Sequence, residues 1–462
     1  MERSQGVTDP CSTLVTDHVE FDRRPLLDLL IRYSGLTRHT PRDRIAAAVA
    51  DEVADLAARG LPTDALAERV NWLLSGTPPA QLNDLDPIRD CDRIHHALGS
   101  AFRVEARVAE LLAILRIAQS SAVSLFFRST REAEDRPVQR FHDTYTLFAN
   151  YFEWGADSSR GRAVVARLNE IHGRYLIPQE GMKYVLLDSA FTWLEAIERI
   201  GHRPLLEVER LGYFHAYVRL GRDMNIADLT DDYAAMYRWF LDASTANDGF
   251  HPLKRDTFET IASNSLGDAG FPGLREAVLA AARVGMHPVF RRALGYPEPT
   301  PRERERVRGV FYTLGTLNEL LPAGAFVRSL QNNPAHPGGP PEPSRLGVSD
   351  RSPHLPVLDR ARPNGGHPHG LLPLHAPADA PRVELPELKW DEIAKHDGTE
   401  SLWVVISGEV FDVTAWARHH PGGRDVLLRH AGRDATAAFA AAGHSAMVET
   451  FRLNYRVGRA VS

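Results

Sequence analysis

Apolar residues recur at three- and four-residue spacing through most of the first 330 positions, a pattern that predicts helices rather than strands. Near the start, 25–33 and 43–59 read as helices, with Asp51, Glu52 and Asp55 alternating with Val53, Leu56 and Ala57 as an amphipathic face. Gly60-Leu61-Pro62 and Gly76-Thr77-Pro78-Pro79 interrupt the pattern. Beyond position 88 it predicts helices over 101–119, 137–153, 161–176, 182–200, 204–220, 231–243 and 272–283. Connections such as Gly201-His202-Arg203-Pro204 are short and suit an antiparallel bundle. From 331 to 382 prolines and glycines displace the apolar positions, so this stretch reads as a flexible or extended linker. The pattern then changes period. Leu402–Ile406 and Glu409–Val413, joined at Ser407-Gly408, predict a hairpin. The expected architecture is a mainly α-helical body plus a small α+β domain. Its divisions are an N-terminal helical extension (1–87), the helical domain (88–330), the linker (331–382) and the last domain (383–462).

A formal net charge of -6 gives a nucleic-acid partner no electrostatic support. Two cysteines, Cys11 and Cys91, make no disulfide framework and fit a reducing compartment. The first residues lack the charged-then-apolar plan of a secretory signal. The most apolar stretch, 111–127, is broken by Arg116, Gln119 and serines, and suits a buried helix better than a membrane span. A cytoplasmic protein without a transmembrane segment is the expectation. No His-Glu-x-x-His string, Gly-rich phosphate loop or serine-nucleophile elbow occurs.

The richest chemistry lies between Trp416 and Ser445. His420 opens a His-Pro-Gly-Gly turn and His444 sits in a Gly-His-Ser turn, with Val426, Leu427, Ala431, Phe439 and Ala442 between them. Two imidazoles across an apolar slot are suited to gripping an iron porphyrin from both faces. A second His-Pro-Gly-Gly, at 336–339, has no partner histidine or apolar walls and reads as coincidence. The ordered series His420-Pro421-Gly422-Gly423, Val426-Leu427, Ala431-Gly432, Asp434-Ala435-Thr436, Phe439 and Gly443-His444-Ser445 resembles a cytochrome b5 haem-binding domain. The resemblance implies His420 and His444 as axial ligands of a haem b contacted by Trp416, Leu427, Phe439, Ala442 and Ser445. An iron closed on both sides implies electron transfer.

In the helical body, Arg140 and Thr144 share a helix face, and Val165, Leu168, His172 and Tyr175 fall on one stripe. By spacing alone His172 is either a satisfied core histidine or a ligand, and Arg140 either an ion-paired surface residue or a functional one. The series Arg136-Pro137-x-x-Arg140-x-x-Asp143-Thr144, Arg167-Leu168-Asn169-x-Ile171-His172-Gly173-Arg174-Tyr175, and Trp193 through Leu205, resembles the mpaB-like oxygenases and latex-clearing rubber oxygenases. That likeness implies a second haem b held by His172, with Arg140 and Thr144 as polar residues near it. The chain departs from the pattern at Asp143, where rubber oxygenases can carry a distal lysine. It departs again at Pro178-Gln179-Glu180, and at Asp188 to Thr192, where relatives read Phe-x-x-x-Pro.

The combined expectation is a haem-dependent oxygenase with two haems b per chain, using dioxygen on an apolar, isoprenoid/terpenoid-like substrate by oxidative C=C cleavage or oxygenation. The fused cytochrome b5 module would supply electrons from a separate flavin/NAD(P)H-dependent reductase, since this chain has no flavin or nicotinamide motif. The alternatives are a b5-type electron carrier whose body only docks a partner, and a peroxide-using or sensory haem site.

Overall fold

The computed structural model describes residues 42–60, 63–117, 137–173, 177–245, 274–319, 341–347 and 385–462, less 415, 418, 419, 421, 445–447 and 449–451. The expected helix at 25–33, Tyr175, Ser445 and most of the expected linker lie outside these residues.

The body is helical: α1 (Arg42–Ala58), α2 (Asp64–Ser75), the single turn α3 (Pro79–Leu82), α4 (Cys91–Ala101), α5 (Arg103–Ile117), α6 (Pro137–Trp154), α7 (Ser159–Gly173), α8 (Gln179–Ile200), α9 (Glu207–Asp223), α10 (Tyr233–Thr245), α11 (Leu274–Gly285), α12 (Pro288–Ala293) and α13 (Pro301–Glu319). α8 is the axis. It packs on α5, with α9, α10 and α11 around it, and Leu187, Ala190, Phe191, Leu194 and Ile197 on it are at most 1% exposed. A helix apolar on most faces has to be enclosed, and each fully buried Leu, Ile or Phe contributes roughly 1.5–3 kcal/mol. Pro178 sets the entry to α8, and α9 starts where Glu209 accepts the Leu206 N–H at 2.8 Å.

Five body helices were not among those predicted: α2, the single turn α3, α4, the short α12 and α13. α4 mixes its buried Ile94, Ala97 and Leu98 with two histidines. α13 begins Pro-Arg-Glu-Arg-Glu-Arg, which hides a narrow buried stripe of Val307, Phe311 and Gly315. The N-terminal helices dock on the body: Ala48, Leu56 and Leu66 cluster with Trp154. Glu52 accepts from the Ser159 hydroxyl at 2.6 Å and from its N–H, so a carboxylate caps the start of α7.

Part of the stretch expected to be a flexible or extended linker lies on the body. Residues 341–347 lie against α7 as a strap. Leu346 is 2% exposed and joins the main core. Its carbonyl accepts from Arg167 Nε at 2.9 Å, and the Gly347 N–H donates to Asp143 Oδ2 at 3.1 Å. Gly347 has φ +90°, and a Cβ there would come within 2.5 Å of Ile171 Cδ1. Proline-rich composition concealed one well-placed leucine.

The C-terminal domain is a five-stranded sheet in the order β1-β5-β3-β2-β4. Its elements are β1 (Glu387–Lys389), α14 (Trp390–Ile393), β2 (Trp403–Ile406), β3 (Glu409–Asp412), α15 (Arg424–Leu428), β4 (Arg433–Asp434), α16 (Thr436–Ala441) and β5 (Arg456–Val461). The expected hairpin is β2–β3, with Val404 opposite Phe411. Ser407 and Gly408 both have positive φ, as a two-residue hairpin turn requires. Side chains alternate across β2, so the sheet has two apolar faces. Val404 and Ile406 join Phe411, Val413, Trp416 and Ala431 on one side, while Val405 joins Ile393 and Val410 on the other.

Candidate functional sites

The first face of the sheet carries both C-terminal histidines. His420 follows the buried pair Trp416-Ala417 and is itself half-buried. Its Nδ1–H donates to the Gly423 carbonyl at 3.2 Å. His444 follows α16, stacks on Phe439 with centroids 4.2 Å apart, and donates from Nδ1 to the Phe439 carbonyl at 3.1 Å. A carbonyl can only accept, so each contact places the ring proton on Nδ1 and leaves the Nε2 lone pair available to a metal. Burial pushes the His420 pKa down, and the charge of nearby His444 adds to that. Neutral imidazole is the ligating form.

The expected walls differ in burial. Trp416 is 8% exposed, Leu427 and Phe439 are half-buried around the same cluster, and Ala442 is exposed. Neither α15 nor α16 contains a fully buried residue, although they read RDVLL and TAAFAA. Two helices that lay Leu427, Leu428 and Phe439 on the same cluster without enclosing them fit one side of a slot for a flat apolar ligand. The turn glycines serve the histidine. A Cβ on Gly422 would lie 2.9 Å from His420 Cε1, and Gly423 has φ +84°. Sequence reasoning missed Arg452, whose guanidinium lies 4.8 Å from the Phe411 ring centre and 5.4 Å from that of Phe439. A lone arginine outside the motif gives no such signal.

In the body, α6 and α7 pack together. Thr144 is half-buried on α6, and of Arg140 on the same helix only the backbone is described. His172 is half-buried in the last turn of α7, at the end of the stripe that Val165 and Leu168 lay against the main core. Thr144 and His172 lie at the same end of the helix pair, because their neighbours Asp143 and Ile171 both meet Gly347. Nearby, Tyr151 donates to Asp223 Oδ2 at 2.6 Å and Asn169 to the Asp223 carbonyl at 3.3 Å.

Residues 93–316 match the family described as ER-bound oxygenase mpaB/B'/Rubber oxygenase, catalytic domain. Residues 389–461 match the cytochrome b5-like haem/steroid binding domain. The chain joins an mpaB/rubber oxygenase catalytic domain to a cytochrome b5-like domain. Acyl-lipid (8-3)-desaturase B of Dictyostelium discoideum is 50% identical over 50 residues, 11% of this chain and 11% of that protein. Cytochrome b5 isoform E of Arabidopsis thaliana is 42% identical over 71 residues, 15% of this chain and 53% of that protein. Among solved structures, cytochrome b5 of Ostreococcus tauri virus 2 is 35% identical over 16% of this chain and 96% of that one, with a TM-score of 0.16. The chain spans about half the length of the curated cytochromes b5 it matches and about a tenth of the desaturase.

A cytochrome b5-like domain implies a bis-histidine haem b, and an oxygenase domain implies dioxygen. Among the described residues no helix is long and apolar enough to cross a membrane. The oxygenase domain also buries a polar cluster where the sequence departed from its relatives. Arg116, 2% exposed, donates to Glu195 Oε2 at 2.8 Å, Thr192 Oγ1 at 3.1 Å and Ser244 Oγ at 3.1 Å. Its Nε is 3.5 Å from Asp188 Oδ1, to which Thr192 also donates at 2.8 Å. Burial pushes Asp188 up to about 8 despite the arginine. Arg116 thus pairs with Glu195 and stands beside a second carboxyl, Asp188, whose charged form burial disfavours. Burial pushes the Cys91 thiol up to about 12, so it is no thiolate nucleophile near neutral pH.

Proposed function

We propose that the protein is a haem-dependent oxygenase acting on an apolar, isoprenoid- or terpenoid-like substrate, with its cytochrome b5-like domain passing electrons to the catalytic haem. One observation carries this reading: an oxygenase catalytic domain shares its chain with a domain whose two histidines both donate from Nδ1 to carbonyls. His420 and His444 would hold the b5-type haem, with Trp416, Leu427, Phe439, Ala442 and Ser445 about it. Such closed coordination suits outer-sphere electron transfer and leaves oxygen chemistry to the body.

In the body, His172 would ligate a second haem, which when bound supplies the activation of dioxygen. The α7 stripe ending at His172 offers one imidazole at an apolar surface, a donor set that fits a five-coordinate haem. Arg140 would pair its fixed positive charge with a propionate or orient polar oxygen, and the Thr144 hydroxyl would donate a hydrogen bond there. The reaction class is oxidative C=C cleavage or oxygenation. Electrons would come from a separate flavin/NAD(P)H-dependent reductase in the cytoplasm, a compartment consistent with the buried free thiol of Cys91.

Haem content tests this directly. Purified protein should carry two haems per chain. The His420→Ala/His444→Ala double variant should keep one, which binds carbon monoxide, and His172→Ala should abolish that carbon-monoxide signal. A double variant devoid of haem would mean that the body only docks a partner.

A further inference from the structure

Ile177 belongs to two cores at once. It lies between α7 and α8, packs against the main core of the oxygenase domain, and packs also against one apolar cluster of the b5-like domain. That cluster contains Trp416 and is bordered by Leu427 and Phe439, the candidate haem walls. The cluster on the opposite face of the sheet, around Ile393, Val405 and Val410, does not include it. So the b5-like domain meets the body with its haem side, and the body meets it five residues beyond His172.

The strap gives a second, independent observation. Through Leu346 and Gly347 the chain leading to the b5-like domain is fixed on α6 and α7, beside Thr144 and His172. The fixed end of the connection and the apolar contact therefore fall on the same end of the same helix pair.

We propose that the α7–α8 corner around Ile177 is the internal docking seat for the haem face of the b5-like domain, with residues 341–347 as its anchor. The proposal rests on the reading that electrons pass between these two domains. The apolar surface of Ile177, the shared apolar residue among the described residues, corresponds by itself to a dissociation constant weaker than about a millimolar, too weak for two separate proteins at cellular concentrations. Held in one chain, the domains face each other at an effective concentration on the order of millimolar, so docked and released forms coexist. The function needs this weakness. The face that serves the body must also be released to an external reductase, and a tight seat would block reloading.

The test uses the full chain with Ile177→Asp and the milder Ile177→Ala. Nuclear magnetic resonance linewidths of the b5-like amides report docking whether or not the body holds haem. Stopped-flow reoxidation of the prereduced b5-type haem reports electron passage. Ile177→Asp should sharpen the b5-like signals and slow the internal transfer about tenfold. Ile177→Ala should fall between it and the parent, with the His420/His444 absorption spectrum unchanged in both. Linewidths indifferent to both variants overturn the docking seat. Linewidths that respond while the parent passes no electron leave the seat standing and sink the electron-delivery reading.

Discussion

A methyl group at position 422 would sit 2.9 Å from Cε1 of His420. The imidazole would have to tilt, and its Nδ1 contact with the Gly423 carbonyl would tilt with it. Gly422→Ala should therefore leave the domain folded but speed haem loss about tenfold, or ~1.4 kcal/mol, measured as transfer to apomyoglobin. In the body core the test is electrostatic. With Asp188 pushed up to about 8, Asp188→Asn replaces a neutral acid by a neutral amide and should change stability by less than about 1 kcal/mol at pH 7. Glu195→Gln takes the nearer carboxylate from Arg116, 2% exposed, leaving Asp188 at 3.5 Å to carry the charge, and should cost about 1.5–3 kcal/mol in urea unfolding. The native state keeps the Asp188 proton that the unfolded chain loses above its ordinary value of 3.8. Native-state stability should therefore fall as pH rises from about 4 to 8, and Asp188→Asn should remove that slope. Arg116 was visible in the sequence as a break in an apolar run, and Asp188 and Thr192 as departures from relatives. That the three meet was not visible, because α5 and α8 are distant in sequence and only their packing brings the polar positions together.

Helices show the same division. Most of the body's helices were legible from periodicity, to within a few residues at each end, because one apolar stripe per helix is what the core demands. α13 was not, since alternating Arg and Glu mask its stripe, and ion pairs at its end join its apolar contacts. His202, at the α8–α9 corner, places Nδ1 2.7 Å from Glu105 on α5 and Nε2 3.0 Å from Glu319 at the end of α13. Arg203 reaches the same Glu319 at 3.0 Å. Burial opposes the imidazolium, yet the hydrogen bonds to both carboxylates raise its pKa. A raised histidine stabilises fully below its ordinary 6.5 and loses that contribution as pH rises through the raised value. Hydrogen exchange of α13 amides should accelerate, at constant intrinsic rate, as pH climbs through that range. His202→Gln should make the protection of α13 independent of pH there. The C-terminal elements were legible for another reason: turn residues and histidines occur in a fixed order, so the motif carried both fold and candidate site. Neither motif nor period announced the strap, where Leu346 joins the main core and Pro343 is also buried.

For the whole molecule, joining the two domains in one chain fixes the kinetic order of their exchange. Electron passage between the proposed haems should be first order and unchanged on diluting the protein about a hundredfold, because the partner's concentration is set by the connection. A rate that rises with protein concentration would mean that transfer runs between molecules. The strap adds a thermodynamic condition. Asp143 holds Gly347 and adjoins Thr144, while Arg167 holds Leu346 on the helix that ends at His172. If a ligand settling between α6 and α7 tightens the strap by some factor, the strap must tighten that ligand by the same factor. Leu346→Ala would then weaken a ligand it never touches, and bound ligand would slow cleavage of the chain next to Leu346 by a protease. On that condition a short stretch of connection would report to the b5-like domain whether the oxygenase domain holds a ligand.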